Sequence, residues 1–152
     1  MDTMLKAVFL GSDKIEIQES PVPKPKPGEV LLKVSYCGLC GSDKRLFHKG
    51  TTTTPGHELT GAVIANGPNV DAEVGTRVAV YIHHHCQQCR YCKVGETNRC
   101  IHVLGGQVGF NRPGGYAQYI TVPASSLIPL PPDISDAEGV LILDTIGTAT
   151  YG

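Results

Sequence analysis

Between Cys86 and Cys100 the chain reads Cys-x2-Cys-x2-Cys-x7-Cys, and no other stretch restricts its folding as tightly. Four thiolates, from Cys86, Cys89, Cys92 and Cys100, can close around one tetrahedral Zn²⁺ with Zn–S bonds of ~2.3 Å. An ion whose four positions are all filled by protein sulfur has no place for a substrate, so the expected site is structural, in a lobe spanning about 83–105. Two other chemistries use related spacings. Two-residue gaps are awkward to close as disulfides, and disulfide-rich scaffolds are small secreted chains with little core. An iron–sulfur cluster shares Cys-x2-Cys-x2-Cys, but the bacterial ferredoxin pattern continues with three residues, a cysteine and a proline. Here seven residues intervene and Ile101 follows.

The 152 residues suffice for one ordinary domain, expected to bury roughly 70% of the surface its unfolded form exposes. Thirteen basic against fourteen acidic residues leave a formal charge of −1. No basic stripe suits nucleic acid and no charge block suggests a tail. The longest apolar runs, such as 140–143, fall far short of the ~20 residues of a membrane span. The first ten residues do not read as a signal peptide, so a reducing cytoplasm is the expected location.

Eighteen glycines and eleven prolines favour turns and short strands over long helices. Strands are expected at 5–10, 14–18, 29–36, 59–65, 77–82 and 116–122. Lys14-Ile15-Glu16-Ile17-Gln18 carries the period-2 alternation of a half-buried strand. Alternating prolines from Pro21 to Pro27 block ladder hydrogen bonds and predict a stiff extended connector. A short helix is expected from Ser42 to His48. A longer one starts at Ser135, where Ser135-Asp136-Ala137-Glu138 forms a capping box before an apolar run, and stops at Gly152.

A second, looser ligand set is suggested by Cys37-Gly38-Leu39-Cys40-Gly41-Ser42-Asp43 and Gly56-His57-Glu58. Catalytic zinc takes three protein ligands and keeps a fourth position open. Cys40 and His57 offer one soft and one borderline ligand, joined by a loop of sixteen residues that lets them converge. Taken alone, a His-Glu pair at a strand edge is more often structural.

With these residues in view, the chain resembles the zinc-containing medium-chain dehydrogenases, the alcohol, polyol and threonine dehydrogenase superfamily. Gly56-His57-Glu58-Leu59-Thr60-Gly61, five residues, Gly67, two residues and Val70 match the family's zinc signature without a gap. Cys40-Gly41-Ser42-Asp43 matches its first ligand motif. Pro27-Gly28-Glu29-Val30, Gly75-Thr76-Arg77-Val78, the four-cysteine lobe and Gly114-Gly115-Tyr116-Ala117-Gln118-Tyr119 follow in family order, so the resemblance covers essentially the whole chain. It implies a mainly β fold, a GroES-like partly open β-barrel with short helices and a cysteine-rich zinc lobe.

The resemblance also implies roles. Cys40 and His57 would be catalytic zinc ligands, with Glu58 a neighbour able to approach the metal. Asp43 would hold the His57 imidazole through its other nitrogen, and Ser42 would accept the substrate's proton. Asp144, followed by Thr148, Tyr151 and Gly152 at suitable offsets, is the candidate third ligand; the alternative is an N-cap of the last helix. Cys37 reads as a small buried residue, not half of a dithiol pair. The tract His83-His84-His85 reads as a strand exit, one ring near the pocket mouth, and His48 and His102 as surface or satisfied histidines. Residues 51–54 read as a loop near the pocket. One position departs from the family: where many members carry a proton-passing histidine, five residues after the first ligand, this chain has Arg45. A guanidinium cannot shuttle a proton near neutrality, so either the relay runs through cofactor ribose and water or Arg45 binds an anionic group.

The implied reaction is oxidation of a small alcohol or polyol to a carbonyl, with hydride passed to NAD or NADP and two zinc ions per chain. Serine at position 42 and an acidic third ligand tilt the reading toward secondary alcohols and polyols. No Gly-x-Gly-x-x-Gly opens a helix after a strand; the cluster Gly105, Gly106, Gly109 lies in a loop. In the family a Rossmann domain would begin just after Gly152, followed by a last portion of the catalytic domain. The chain therefore reads as residues 1–152 of an N-terminal catalytic domain, inactive alone and either oligomeric or dependent on the cofactor domain, with apolar surface exposed around 140–143. A stand-alone zinc-binding module without redox activity, or a zinc hydrolase, stays open beside it.

Overall fold

The strands are built by short β-branched runs punctuated by turn residues. The computed structural model describes residues 2–103 and 106–151. Strands β1 (Thr3–Gly11) and β2 (Lys14–Pro21) form an antiparallel hairpin, turned by Ser12 and Asp13, both at positive φ. The other five strands are β3 (Glu29–Cys37), β4 (Leu59–Asn66), β5 (Arg77–Val80), β6 (Tyr119–Pro123) and β7 (Leu127–Pro129). They form one antiparallel sheet in the order β6-β3-β4-β5-β7. A bridge between Lys6 and Ala117 ties hairpin to sheet, with the Ala7 and Gln118 amides donating to the carbonyls of Tyr116 and Leu5. Both sheets stay open; among the described residues no barrel closes.

Strand β3 shows why the sheet has two apolar sides. Successive side chains on a strand face opposite ways. Val30 and Leu32 enter the main core with Leu59, Val63, Val78, Val80, Ile120 and Val122. Leu31 faces the other side, against Met4 and Tyr119. Burial on both faces is what marks a central strand.

Helix α1 (Asp43–Lys49) follows β3, the thiol lobe carries α2 (Arg90–Lys93), and the chain closes with α3 (Asp136–Leu141) and α4 (Gly147–Tyr151). The capping box at the start of α3 is formed as the sequence predicts: Ser135 Oγ accepts from the Glu138 amide, and the Glu138 carboxylate accepts from the Ser135 amide. Between α3 and α4 the winding loosens to a π turn over Ile142–Ile146. Among the described residues no helix is long and apolar enough to cross a membrane.

The structure differs from expectation at several points. The Ile15 and Ile17 alternation is present, but those side chains are 53% and 62% exposed, because β2 pairs only with β1. They border an open groove of about 710 Å³ with Leu5, Val34 and Tyr36. The expected strand over 116–122 starts only at Tyr119, since residues 116–118 turn aside to bond β1. The expected strand over 77–82 ends at Val80, and β7 has no counterpart in the sequence reading. Exposure around 140–143 is also only partial: Val140 is buried, while Leu141 is open. Gly105 and Gly152 lie outside the described residues.

Candidate metal centre

Pairing of β3 with β4 is what brings the two halves of the centre together. Cys37 stands opposite Leu59 in the register, and the Gly38 amide donates to the Glu58 carbonyl at 2.7 Å. The loop leaving β3 therefore carries Cys40 past the segment entering β4, which carries His57 and Glu58. Gly56 allows that entry. Its φ of +96° is left-handed, and a Cβ there would lie 2.7 Å from Cys37 Sγ and 2.9 Å from the Tyr116 nitrogen.

Asp144 arrives from the far end of the chain. Its Oδ2 lies 3.2 Å from Cys40 Sγ and 3.4 Å from His57 Nε2. Ligand-type atoms of Cys40, His57, Glu58 and Asp144 all fall within 4.8 Å of one another. Asp144 is not an N-cap. It sits inside the π turn, a winding that recurs at functional sites because it redirects side chains, and Thr148 Oγ1 donates to its Oδ1 at 2.6 Å.

The two carboxyls of the cluster act on each other and on their neighbours. Burial pushes the Glu58 carboxyl up, and its hydrogen bond with Asp144 reinforces the shift. Donation from Thr148, then from Cys40, holds Asp144 below its ordinary value. A thiol, an imidazole and two carboxyls converging at one point are the mixed donor set that borderline metals select. A tetrahedral ion bonded to sulfur at ~2.3 Å and to oxygen at ~2.1 Å holds the two ~3.5 Å apart, close to the Cys40–Asp144 separation. The donors therefore fit zinc. Beside them opens a cavity of about 410 Å³, lined by Leu39, Cys40, Glu58, Asp144, Thr145 and Thr148.

Around these donors the other expected residues take distinct places. Asp43 is 1% exposed and His57 4%. Asp43 Oδ1 lies 3.7 Å from His57 Nδ1, facing it but beyond hydrogen-bond distance, and both atoms are buried without a partner among the described residues. The other carboxylate oxygen, Oδ2, accepts from the Cys40 amide at 3.1 Å. Ser42 Oγ is likewise buried, with no partner among the described residues. Arg45 is exposed on α1. Burial, then the charges of Asp43 and Glu58, push the Cys37 thiol up to about 12.

Two contributors had no role in the sequence reading. The Phe110 ring lies over the His57 imidazole, centroids 4.8 Å apart. Tyr116 donates to Asp43 Oδ2 at 2.7 Å, and burial, followed by that bond, pushes its phenol up. Tyr116 belonged to a recognisable motif, but nothing in that motif pointed to Asp43, and Phe110 carried no signal at all.

The four lobe cysteines come together as well. Cys92 Sγ is 3.9 Å from Cys86 Sγ and 3.5 Å from Cys89 Sγ. Zn–S bonds of ~2.3 Å on a tetrahedron require ~3.8 Å, so this set also fits zinc. The Cys86 amide points at Cys100 Sγ and the Cys89 amide at Cys86 Sγ, each at 3.3 Å. Backbone hydrogen bonds from Cys92 and Ile101 bring the Cys89 thiol down to about 6, while burial and its sulfur neighbours push Cys92 up to about 12. All six cysteines are free thiols. The preceding histidines serve the lobe's attachment: His85 is buried, His83 and His85 set their rings edge-on to Tyr81, and Arg112 bridges His84 at 2.9 Å and Glu29 at 2.7 Å. His48 contacts Asp13 at the surface.

Comparison with known proteins agrees with this architecture. Residues 26–132 match the alcohol dehydrogenase GroES-like domain, and the chain belongs to that family. It is 34% identical to an L-threonine 3-dehydrogenase of Mesorhizobium japonicum over 99% of the chain and 46% of that protein. Among solved structures, a cobalt- and zinc-bound thermostable alcohol dehydrogenase from Pyrobaculum aerophilum superposes with a TM-score of 0.83 at 32% identity, over 92% of this chain and 44% of that one. An acetophenone reductase from Geotrichum candidum in complex with NAD gives 0.82 at 32% identity, over 93% and 44%. The chain thus spans somewhat under half the length of the relatives it matches.

Proposed function

We propose that residues 1–152 are the N-terminal catalytic domain of a zinc-dependent oxidoreductase, which converts a small alcohol or polyol to an aldehyde or ketone with NAD or NADP. The observation that carries this reading is the convergence of Cys40, His57, Glu58 and Asp144 beside an open cavity. Cys40, His57 and Asp144 would hold the reactive zinc, with Glu58 close enough to exchange with a ligand, and the thiolates of Cys86, Cys89, Cys92 and Cys100 a second, structural one. Zinc in the reactive site supplies Lewis acidity that makes a hydroxyl easier to deprotonate.

The chain's own residues account for the rest. Ser42, whose buried hydroxyl has no partner among the described residues, would relay the substrate's proton, accepting it as its own proton passes on toward cofactor ribose and water. Asp43 keeps the His57 ring turned toward the metal position. Phe110 covers that ring and keeps water off it. Kinship with a threonine dehydrogenase and an acetophenone reductase, whose names imply chemistry at secondary carbon centres, supports secondary alcohols. Location in the cytoplasm, assembly into oligomers and dependence on a cofactor-binding half are parts of the same proposal.

Its test joins the chain to the remaining half that its relatives possess and loads it with zinc. Reduction of NAD or NADP is followed by absorbance over a panel of secondary alcohols and polyols. The expected result is turnover that disappears in His57→Ala while the thiolate lobe keeps its metal. Zinc retention in both sites without turnover on any alcohol would favour a zinc-binding module.

A further inference from the structure

Asp43 is a buried carboxylate that accepts from two donors among the described residues. A carboxylate taken out of water costs several kcal/mol unless hydrogen bonds compensate it. The Cys40 amide and the Tyr116 hydroxyl both converge on Oδ2, at 3.1 and 2.7 Å. With that oxygen occupied, Oδ1 faces the His57 Nδ1 atom 3.7 Å away. Neither Oδ1 nor Nδ1 has another partner among the described residues, so each is the other's natural complement.

Tyr116 is held for this task. Its ring stacks on Phe9, centroids 5.8 Å apart and planes 24° from parallel, and Phe9 in turn meets the edge of Phe47 on α1. The hydroxyl lies 2.9 Å from the Gly38 carbonyl as well as 2.7 Å from Asp43. A phenol has one proton to give, and the shorter, charge-assisted contact is the stronger acceptor. The aromatic stack is a rigid mount in which a single oxygen atom matters.

Resting on the reading of His57 as a metal ligand, we propose that Tyr116 is a positioning residue of the metal centre. Its hydroxyl, with the Cys40 amide, holds Oδ2 of Asp43 so that Oδ1 faces His57 Nδ1 at 3.7 Å, within reach of the ring once it closes to a hydrogen bond, and Nε2 stays aimed at Cys40 and Asp144. A group that holds a metal-binding histidine, as Asp43 would, commonly contributes ~10- to 100-fold in affinity, and Tyr116, acting through Asp43, is expected at the lower end of that range. Phenylalanine would keep the stack and lose only this.

The experiment compares the chain with Tyr116→Phe, Asp43→Asn and the double variant, each titrated with cobalt(II) against a competing chelator. The lobe's cobalt–thiolate absorption serves as an internal reference for folding. Tyr116→Phe is expected to weaken the Cys40–His57 site ~10-fold and leave the lobe unchanged. It should add no further loss once Asp43 is asparagine, and the Nδ1–H proton resonance of cobalt-bound His57 should lose its protection from solvent exchange. Unchanged affinity and exchange in Tyr116→Phe, or an equal loss in the Asp43→Asn background, would overturn the assignment. If the unaltered chain takes cobalt only in the lobe, the metal centre itself is refuted, and the positioning role with it.

Discussion

Cys40 Sγ and Asp144 Oδ2 lie 3.2 Å apart although 104 positions separate them in the chain. The contact joins the loop after β3 to the π turn near the C-terminal end, and His57 Nε2 sits 3.4 Å from the same carboxylate oxygen. Replacing Asp144 by asparagine keeps the shape and removes the charge. The expected loss of zinc affinity at this site exceeds the ~10- to 100-fold typical of removing a supporting partner. Competition with a chelator measures it, with the thiolate lobe as the unaffected control.

Gly56 is the backbone condition for His57. At φ +96° an L side chain is strained, and a Cβ would press on Cys37 Sγ and the Tyr116 amide. Gly56→Ala is expected to cost about 1–3 kcal/mol in denaturant unfolding, and to lower metal retention at the His57 site. Equal stability of the two proteins would mean that this segment is softer than its packing indicates.

Asp136 links the capped helix α3 to the sheet through Arg77, whose Nε donates at 2.7 Å. Burial pushes the Asp136 carboxyl up, but the Arg77 bond, a Ser35 hydrogen bond and the Arg77 charge outweigh it, so its value in the fold is lowered. The resulting stabilisation is complete above the unfolded carboxylate value of ~3.9 and is lost as pH falls through the lowered one. Since the pair is partly exposed, Asp136→Asn should cost only about 1 kcal/mol at neutral pH. That deficit should stay constant down to about pH 5 and close in stronger acid, as read by urea unfolding across pH.

How much of this was legible in the sequence depended on range. Strands β1 to β4 announced themselves as short strand-like runs, β2 by its alternation, the α3 start by Ser135 and Glu138, and the lobe by cysteine spacing. Each of these signals lies within a few residues. What stayed hidden depends on pairing across the chain. Ile15 and Ile17 alternate like buried residues, yet no layer among the described residues covers them. Residues 116–118 have strand composition but divide their hydrogen bonds among β1, Pro55 and Val34. The π turn at Asp144 has no local signature, and neither does the meeting of Tyr116 with Asp43 or of Phe110 with His57. Those side chains come together because residues 106–118 bond the segment 53–56 and β1, and the C-terminal helices bring Asp144 alongside.

The most direct check on the centre is metal content per chain after zinc loading and gel filtration, for the unaltered chain and for His57→Ala. The account predicts two zinc ions in the first and one in the second, the survivor held by Cys86, Cys89, Cys92 and Cys100. One zinc ion in both proteins would contradict it: Cys40, His57 and Asp144 would then be close neighbours that hold no metal.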